Sequence, residues 1–198
     1  MPKKTSSSHR VATFGVRWLL AGACLLIGGL RSASAQSSSS KEYQVKAACL
    51  LNFVQFIEWP AAAFPEASTP ITIGVLGDDP FGEILERTFQ DETIQGRVLV
   101  VKRSRQIDDL KRCHLLFISK SEKQRVGEIL ADLRATNVVS VGEMDEFAQR
   151  GGIINFYIDS GKIRFEVNTD AARPAGIKIG AQLLKRARIV GSDPRKGS

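Results

Sequence analysis

The stretch EYQVKAACLLNFVQFIEWP, residues 42–60, decides the fold because apolar side chains cover most of its helical circumference. A surface helix normally keeps one continuous polar face, and this stretch has only scattered polar residues. We therefore predict a helix that is mostly covered, either as a core helix on a sheet or with part of its face bound to another protein. Pro60 disfavours helical geometry at Trp59, so the helix should end at about Glu58. Its apolar residues form two stripes: Tyr43, Ala47, Leu50, Val54 and Ile57, and then Cys49, Phe53 and Phe56.

Beyond Pro60 the chain alternates between short apolar strands and helices. Strands are predicted at 71–76, 97–102, 114–118 and 138–141, and helices at 81–89, 121–133 and 144–149, with a helical turn at 107–112. Strand–helix repetition of this kind predicts a mostly parallel sheet with helices on both faces. Ser121 is the expected cap of the second helix. The side chains expected to face inward are Phe81, Leu85 and Phe89 in the first helix, and Val126, Ile129, Leu130 and Leu133 in the second.

The end of the chain departs from this alternation. The strands 153–158 and 162–168 meet across Asp159-Ser160-Gly161, which predicts an antiparallel hairpin with a Gly-containing turn. A final helix is expected over 177–188. The predicted fold class is therefore α/β: a three-layer sandwich with a mostly parallel sheet, helices on both faces and a C-terminal antiparallel hairpin.

The first 35 residues have the pattern of an export signal. Trp18 to Leu30 is an apolar run, basic residues precede it, and Ala33-Ser34-Ala35 is a small-residue cleavage site. Two alternatives are a lipoprotein anchor at Cys24 and an uncleaved membrane anchor, although the run is short for a permanent span. The predicted organisation is a signal peptide at 1–35, a flexible lead-in at 36–41, one α/β domain at 42–190 and a disordered tail at 191–198. This organisation places the protein in the periplasm.

The net charge of +7 belongs mostly to the predicted signal. Residues 1–35 contain five basic and no acidic residues, which leaves 23 basic and 21 acidic residues and a net charge of +2 for the rest. A nearly balanced domain lacks the basic footprint of a nucleic-acid-binding protein, so no nucleic-acid partner is expected. The remaining 163 residues are enough for one domain with a sizeable core.

Few residues in the predicted domain carry the chemistry of an enzyme. His114 is its only histidine, and no cluster of metal-ligand residues is spaced for a metal site. Cys113 and His114 are adjacent, so in a strand they would point to opposite faces and could not form a nucleophile–base pair. Asp78-Asp79 follows the first strand, where open α/β sheets often bind ligands, but a polar turn is the simpler interpretation. We expect no enzyme activity and no cofactor.

Cys49 and Cys113 remain in the predicted domain, and an oxidising compartment would permit them to pair. A helix packed on the strand after Cys113 could bring the two thiols into range. Buried free thiols are the alternative, because free cysteine is often buried.

The motifs AAxLLNFxxFxxWP, GVLGDDPFG, CHLLFIS, the GGIINFY–RFEVN hairpin and QLLKRA together resemble the YfiR/HmsC-like family (DUF4154). The resemblance covers about residues 42–190. It implies a periplasmic α/β protein that represses an inner-membrane diguanylate cyclase by binding its periplasmic domain, which lowers cyclic-di-GMP and biofilm formation. It also implies an outer-membrane lipoprotein as the partner that releases some members, and redox control through disulfides in others. With two mature cysteines, a two-disulfide arrangement is excluded here. Among the partners, a second copy of the chain in a homodimer also stays open.

Two groups of residues are candidates for partner binding. Arg164, Glu166 and Asn168 form a polar row on the second hairpin strand, which is either a solvated sheet face or a recognition row. Trp59 and Phe64 lie near loops and are either core residues or interface anchors. Three functions stay open: a periplasmic regulator of a membrane signalling enzyme, a periplasmic small-molecule sensor that uses the Asp78-Asp79 loop, and a hydrolase, which the missing catalytic groups oppose.

Overall fold

The computed structural model of the protein describes residues 30–134 and 136–191. The chain divides into two units, Met1–Ser39 and Ser40–Ser198, and every strand and cleft described below belongs to the second. Residues 1–29 of the predicted signal peptide and residues 192–198 of the predicted tail lie outside the described residues. Among the helices that are described, none combines the length and the hydropathy that a membrane span requires.

The secondary structure follows the predicted alternation. The helices are α1 (Leu30–Phe56), α2 (Ile84–Phe89), α3 (Val126–Leu133), α4 (Thr169–Ala172) and α5 (Ala181–Leu184). The strands are β1 (Ile57–Glu58), β2 (Ile71–Leu76), β3 (Thr93–Ile94), β4 (Arg97–Ser104), β5 (Leu115–Ile118), β6 (Val139–Gly142), β7 (Ile154–Asp159), β8 (Lys162–Asn168), β9 (Lys178–Ile179) and β10 (Arg188–Val190).

Eight strands form the central sheet in the order β10-β8-β7-β6-β5-β2-β4-β3, and β1 pairs separately with β9. The pairs from β4 through β7 are parallel, as is β8 with β10, whereas β7 with β8 and β3 with β4 are antiparallel. The chain passes from β2 outward to β4 and then crosses β2 to reach β5. This arrangement confirms the predicted fold class.

The hydrophobic core has two parts, one on each face of the sheet. Alternate residues of the central strands point to opposite faces: Ile73 and Val75 contact the cluster that contains α1, whereas Leu76 contacts the cluster that contains α3. The four predicted inward residues of α3 are buried, as are Phe81, Leu85 and Phe89 around α2. The strands are apolar on both sides because helices cover both faces.

Helix α1 is less completely covered than its composition predicts. Ala47, Leu50, Phe53 and Val54 are buried, but a flank around Asn52 is exposed. The helix ends at Phe56, two residues before the predicted end, because the next two residues form β1 and pair with β9. It also extends over residues 36–41, which we had predicted to be a flexible lead-in.

Three local predictions differ from the structure. Helix α3 begins at Val126 instead of Ser121, because Ser119 caps a short 3-10 turn that precedes it. Residues 144–149 form turns, not a helix. The region predicted as one final helix, 177–188, is divided into β9, α5 and the start of β10. In the last case the pairing of β10 with β8 overrides the local helical pattern.

The hairpin has the predicted position and a Gly-containing turn, but the turn is one residue shorter than predicted because Asp159 belongs to β7. β7 and β8 pair antiparallel from Ile154 opposite Val167 to Asp159 opposite Lys162. Ser160 and Gly161 form the two-residue turn, and both have positive φ values of 50° and 73°. Such a turn twists in the same sense as the strands it joins, and glycine adopts the positive φ without steric cost.

Candidate functional site

Residues 59–66, which we call the aromatic loop, are the first part of the connection from β1 to β2 and carry both predicted aromatic anchors. Trp59 and Phe64 are half-buried, and their rings meet edge to face with centroids 6.4 Å apart. The Phe64 ring stacks on the imidazole of His114 at 4.5 Å. The indole N–H of Trp59 donates to the backbone oxygen of His114 at 3.0 Å. The loop is thus fixed against the first residue before β5.

His114 is held in its neutral form by two backbone contacts. The Thr72 N–H donates to Nδ1 at 3.0 Å, so Nδ1 carries no proton, and Nε2 then donates to the Ala63 oxygen at 3.1 Å. Burial and the nearby Arg97 charge lower the pKa of His114, while the Ala63 contact opposes them. Because protonation would remove the acceptor of the Thr72 N–H, the ring acts here as a structural connector and not as a base.

Arg97 fastens the aromatic loop to the edge of the sheet. Its guanidinium lies 4.2 Å from the centroid of the Phe64 ring, within the range of a cation–π contact. It also donates to the backbone oxygens of Glu66 at 3.0 Å and Thr69 at 2.7 Å. A half-exposed aromatic pair that is already ordered loses little conformational entropy when it binds a partner. This geometry suits the aromatic loop to protein docking.

The structure separates the three residues of the predicted polar row. Arg164 is exposed, whereas Glu166 is 1% exposed and Asn168 is buried. Glu166 accepts hydrogen bonds from Asn155 at 3.1 Å and from the guanidinium of Arg188. A buried carboxylate with two partners inside the chain is not available to another protein.

The loop between β6 and β7 contributes to the burial of Asn168. It returns across the hairpin, where the Met144 N–H donates to Asn155 at 3.1 Å and the Asn168 amide donates to the Ala148 oxygen at 2.7 Å. Asn168 also caps α4 by accepting from the Ala171 N–H at 2.9 Å. The sequence contained one signal for this cover, because Asn155 is a lone polar residue inside an apolar strand.

The five predicted partner-binding residues therefore do not form one surface. Trp59 and Phe64 lie at the amino ends of the parallel strands, which we call the amino edge. Arg164 lies on the hairpin, opposite Tyr157 in the β7–β8 strand pairing. The pairing of β7 with β6 ends earlier, at Asn155, so this part of the hairpin has no β6 residue beside it. The hairpin extends past the opposite boundary of the sheet, which we call the carboxyl edge.

The Asp78-Asp79 loop is at the carboxyl end of β2, beside the point where the strand order reverses, but the chain's own side chains occupy it. Asp78 pairs with Arg105 and Asp79 with Arg103, each at 2.6 Å. Gly77 has a φ of 89°, and a Cβ placed there would lie 2.3 Å from Ser121 Oγ. Both carboxylates of this loop are thus engaged by arginines of the same chain, which leaves neither unpaired for a ligand.

The two cysteines are free thiols in separate parts of the core. Cys49 packs against the cluster that contains α1, and Cys113 belongs to the cluster on the other face of the sheet. The Cys113 sulfur lies beside Gly74, on the face opposite Ile73. The sheet therefore separates the thiols of the predicted pair. Burial raises the pKa of both, that of Cys113 to about 11, so neither is a reactive thiolate near neutral pH.

A buried charge cluster at the carboxyl edge was not predicted. Lys46 of α1 is 2% exposed and contacts the carboxylates of Glu42 and Glu143, and the Tyr43 hydroxyl donates to Glu143 at 2.9 Å. Burial, followed by the Glu143 charge, raises the pKa of Tyr43. Lys46, a lysine inside an apolar helix, was the only signal in the sequence. Within residues 30–134 and 136–191, no group of three or more His, Cys, Asp or Glu residues could hold a metal ion.

Comparison with known proteins identifies a family and several structural neighbours. The model of the YfiR/HmsC-like family (DUF4154) matches residues 43–188. A conserved domain protein from Vibrio cholerae is similar in structure, with a TM-score of 0.51, 14% identity and 73% of this chain covered. This chain spans 60% of that protein's length, and at this identity the likeness concerns the fold alone. A second match is an ABC domain from Streptococcus pneumonia, whose structure was solved in complex with L-Trp. The match covers 60% of this chain and 55% of that chain, at 11% identity. Its TM-score of 0.42 is too low to inform the fold.

Proposed function

The chain belongs to the YfiR/HmsC-like family, and on this premise we propose that it is a periplasmic protein that binds and represses an inner-membrane diguanylate cyclase. The observation that carries the proposal is the family match over residues 43–188, nearly the whole described domain. The family is regulatory, and its known members are periplasmic. Repression of the cyclase would lower cyclic-di-GMP and with it biofilm formation.

The aromatic loop is the surface that we assign to the contact with the cyclase. Large aromatic side chains beside an arginine are typical of the residues that dominate binding energy in protein interfaces. Trp59, Phe64 and Arg97 have this composition, and their mutual contacts order them before any partner arrives. Arg164 remains a second candidate because it is exposed on the hairpin. Glu166 and Asn168 are left out because both are buried.

Repression requires a difference in affinity between two states of the cyclase. A regulator that binds the active and inactive states equally well leaves their ratio unchanged. Shifting the cyclase from nearly all active to nearly all inactive needs about 5.5 kcal/mol of preference for the inactive state. The aromatic loop would have to meet a surface that the cyclase presents only when inactive.

The two residues with the chemistry of a catalytic pair, His114 and Cys113, are occupied within the fold, and this supports a binding role. His114 has both ring nitrogens bonded to the backbone, and the thiol of Cys113 is held protonated by burial. A nucleophile needs an adjacent base that is available to accept its proton, and His114 lacks that availability.

Genetic epistasis tests the proposed repression. Deleting the gene should raise cyclic-di-GMP and surface attachment, and deleting the cyclase as well should cancel both effects. Affinity capture from membranes should recover a protein with a diguanylate cyclase domain, and co-capture of an outer-membrane lipoprotein would identify the releasing partner. Cyclic-di-GMP that stays unchanged in the deletion strain, under conditions where the protein is expressed, would contradict repression.

A periplasmic location requires export, and the N-terminus of the mature protein shows whether export and cleavage have taken place. We expect the periplasmic fraction to contain a chain that begins at Gln36, after cleavage behind Ala35. Intact-mass measurement decides between this product, a lipid-modified chain beginning at Cys24, and the uncleaved chain. Full-length protein confined to the cytoplasm would contradict the periplasmic role.

A further inference from the structure

A cleft of about 510 Å³ opens at the amino edge, beneath the aromatic loop. Three segments enclose it: part of the aromatic loop with the residues leading into β2, the residues just before β5, and the residues just before β6. The residues that line it are Ala62, Ala63, Pro65, Thr69, Pro70, Thr72, Lys111, Arg112, Cys113, His114, Thr136, Asn137 and Val138.

The charged residues of this cleft are all basic, and none of its lining residues is acidic. Lys111 is neutralised from outside, by Asp108 at 2.7 Å and Asp132 at 3.0 Å. Arg112 is exposed, and no residue within the described ranges pairs with it. His114 is neutral and bonded to the backbone through both nitrogens, so it forms a wall of the cleft and adds no charge. The charge available to a ligand is therefore one uncompensated guanidinium.

The remaining lining supplies one further polar group and an apolar surface. The Thr72 hydroxyl has no hydrogen-bond partner among the residues that the structure describes. Since no fully buried side-chain polar atom in those residues lacks a partner, this hydroxyl retains some solvent exposure. Ala62, Pro65, Pro70 and Val138 provide apolar contact nearby. Ligand sites typically combine such an apolar lining with a few convergent polar groups.

We propose that this cleft binds a small organic anion, whose carboxylate or phosphate group is held by Arg112 and whose apolar part lies against the prolines and Val138. The planar guanidinium can donate two parallel hydrogen bonds to either oxyanion, which gives both affinity and orientation. The Thr72 hydroxyl is a second donor. The cleft has no acidic lining residue, so a positive charge on a ligand would find no carboxylate there. This favours an anion over a cation or a zwitterion.

The cleft also offers a route for regulation. Ala63 and Pro65 belong to both the cleft lining and the aromatic loop, so a bound anion would contact the loop assigned to the cyclase. This regulatory step rests on the proposed function, whereas anion binding itself does not. A direct binding measurement on the isolated mature chain therefore separates a failure of this inference from a failure of the proposed function.

The test uses benzoate and phenyl phosphate as probes, with the uncharged benzamide as their control, at constant ionic strength. A ligand that binds only the folded state raises the free energy of unfolding by RT ln(1 + [L]/Kd), so thermal shift and calorimetry should agree. We expect millimolar benzoate or phenyl phosphate to stabilise the protein and benzamide to have no effect. Stabilisation by one anion alone supports the proposal and identifies the preferred anionic group.

Two arginine variants make the test specific to the cleft. Arg112→Ala should raise the Kd of the anion by about tenfold or more, which corresponds to about 1.4 kcal/mol. Arg186→Ala removes an exposed arginine that does not line the cleft, and its Kd should equal that of the wild type. Equal binding by both variants, an equal effect of benzamide, or no stabilisation by either anion would overturn the proposal.

Discussion

The two edges of the parallel sheet use charged residues in opposite ways. At the carboxyl edge, Lys46 is enclosed by Glu42, Glu143 and Tyr43, and Arg103 is held by Asp79 and Glu86. At the amino edge, Arg112 has no partner in the described part of the chain, and two aromatic rings are half-exposed. Open α/β sheets usually bind ligands at the carboxyl edge. Here the charged side chains named at that edge pair with one another, whereas Arg112 and the aromatic loop at the amino edge stay accessible.

This difference shows that the partners of a charged residue decide its role more than its position in the fold does. The Asp78-Asp79 loop has the expected position for a ligand site, yet Arg103 and Arg105 engage both carboxylates. Arg112 has an ordinary sequence context and has no ion-pair partner among the residues that the structure describes. We therefore expect changes at the carboxyl edge to alter stability and changes at the amino edge to alter binding.

The largest expected effect comes from the core that both edges share. Phe53 is 1% exposed and packs against Phe156 and Phe165, with ring centroids 5.5 Å and 4.9 Å away. Phe53→Ala should lower the free energy of unfolding by about 3–5 kcal/mol through the cavity it leaves. The midpoint of urea unfolding measures this loss, provided that the m-value of the variant equals that of the wild type. An unchanged midpoint would contradict the burial of Phe53.

A slightly smaller loss is expected at the carboxyl edge. Glu143→Leu would leave the buried Lys46 with Glu42 as its remaining carboxylate partner, and breaking a buried pair in this way typically costs about 3 kcal/mol or more. The double variant Lys46→Met with Glu143→Leu removes both charges and should recover most of that loss. A single variant as stable as the wild type would show that the cluster does not hold this edge.

The two edges should also respond to acid in different pH ranges. The pKa of His114 is lowered in the folded state, so the unfolded chain binds the proton more readily. Its contribution to stability is complete above about pH 6.5 and declines as the pH falls toward the folded value. At the carboxyl edge, the hydrogen bond from Arg103 lowers the pKa of Glu86 below 4.5, so that contribution is lost only at lower pH.

The free energy of unfolding, measured by denaturant titration at a series of pH values, reports on both pH ranges. Replacing His114 with glutamine should remove the loss that begins near pH 6.5, and replacing Glu86 with glutamine should change only the more acidic range. A His114→Gln protein whose stability still declines between pH 6.5 and pH 5 as in the wild type would contradict the assignment of His114.

The smallest expected effect is that of reductant. Cys49 and Cys113 lie in core clusters on opposite faces of the sheet, so reductant should leave the urea midpoint unchanged. Labelling of the denatured, unreduced mature chain should give two modified thiols. Complete protection from labelling, together with a midpoint that falls on reduction, would show that the two cysteines pair.

The sequence was sufficient for the main strands of the sheet and for features that depend on local pattern. The apolar strand β2 and the antiparallel hairpin with its Gly-containing turn were predicted because period-2 alternation and turn chemistry are local. The pairing of β1 with β9 was not, because it joins segments about 120 residues apart. The burial of Glu166 depends on Asn155 and Arg188, and no local pattern in β8 indicates those partners.

The same limit applies to the candidate site. Trp59 and Phe64 were chosen for their chemistry, and the structure brings them together. Arg164 shared a strand face with Glu166 and Asn168, but the structure buries only the latter two. Glu166 lies against Asn155 and Arg188, and Asn168 lies against the loop after β6. The charge cluster at Lys46 and the free Arg112 became visible only through their surroundings, because a one-letter sequence does not say which charges are paired.

Capture of the cyclase by loop variants tests the central proposal most directly. The mature protein would be immobilised as wild type, Phe64→Ala, Ala62→Arg and Arg164→Glu, after each variant is shown to unfold cooperatively. Ala62 is exposed, so Ala62→Arg obstructs the aromatic loop without removing core packing. We expect Phe64→Ala and Ala62→Arg to lose most of the captured cyclase, by about thirtyfold for an anchor worth 2 kcal/mol, and Arg164→Glu to retain it. Full capture by both loop variants, with loss in Arg164→Glu, would contradict docking at the amino edge and place the contact on the hairpin.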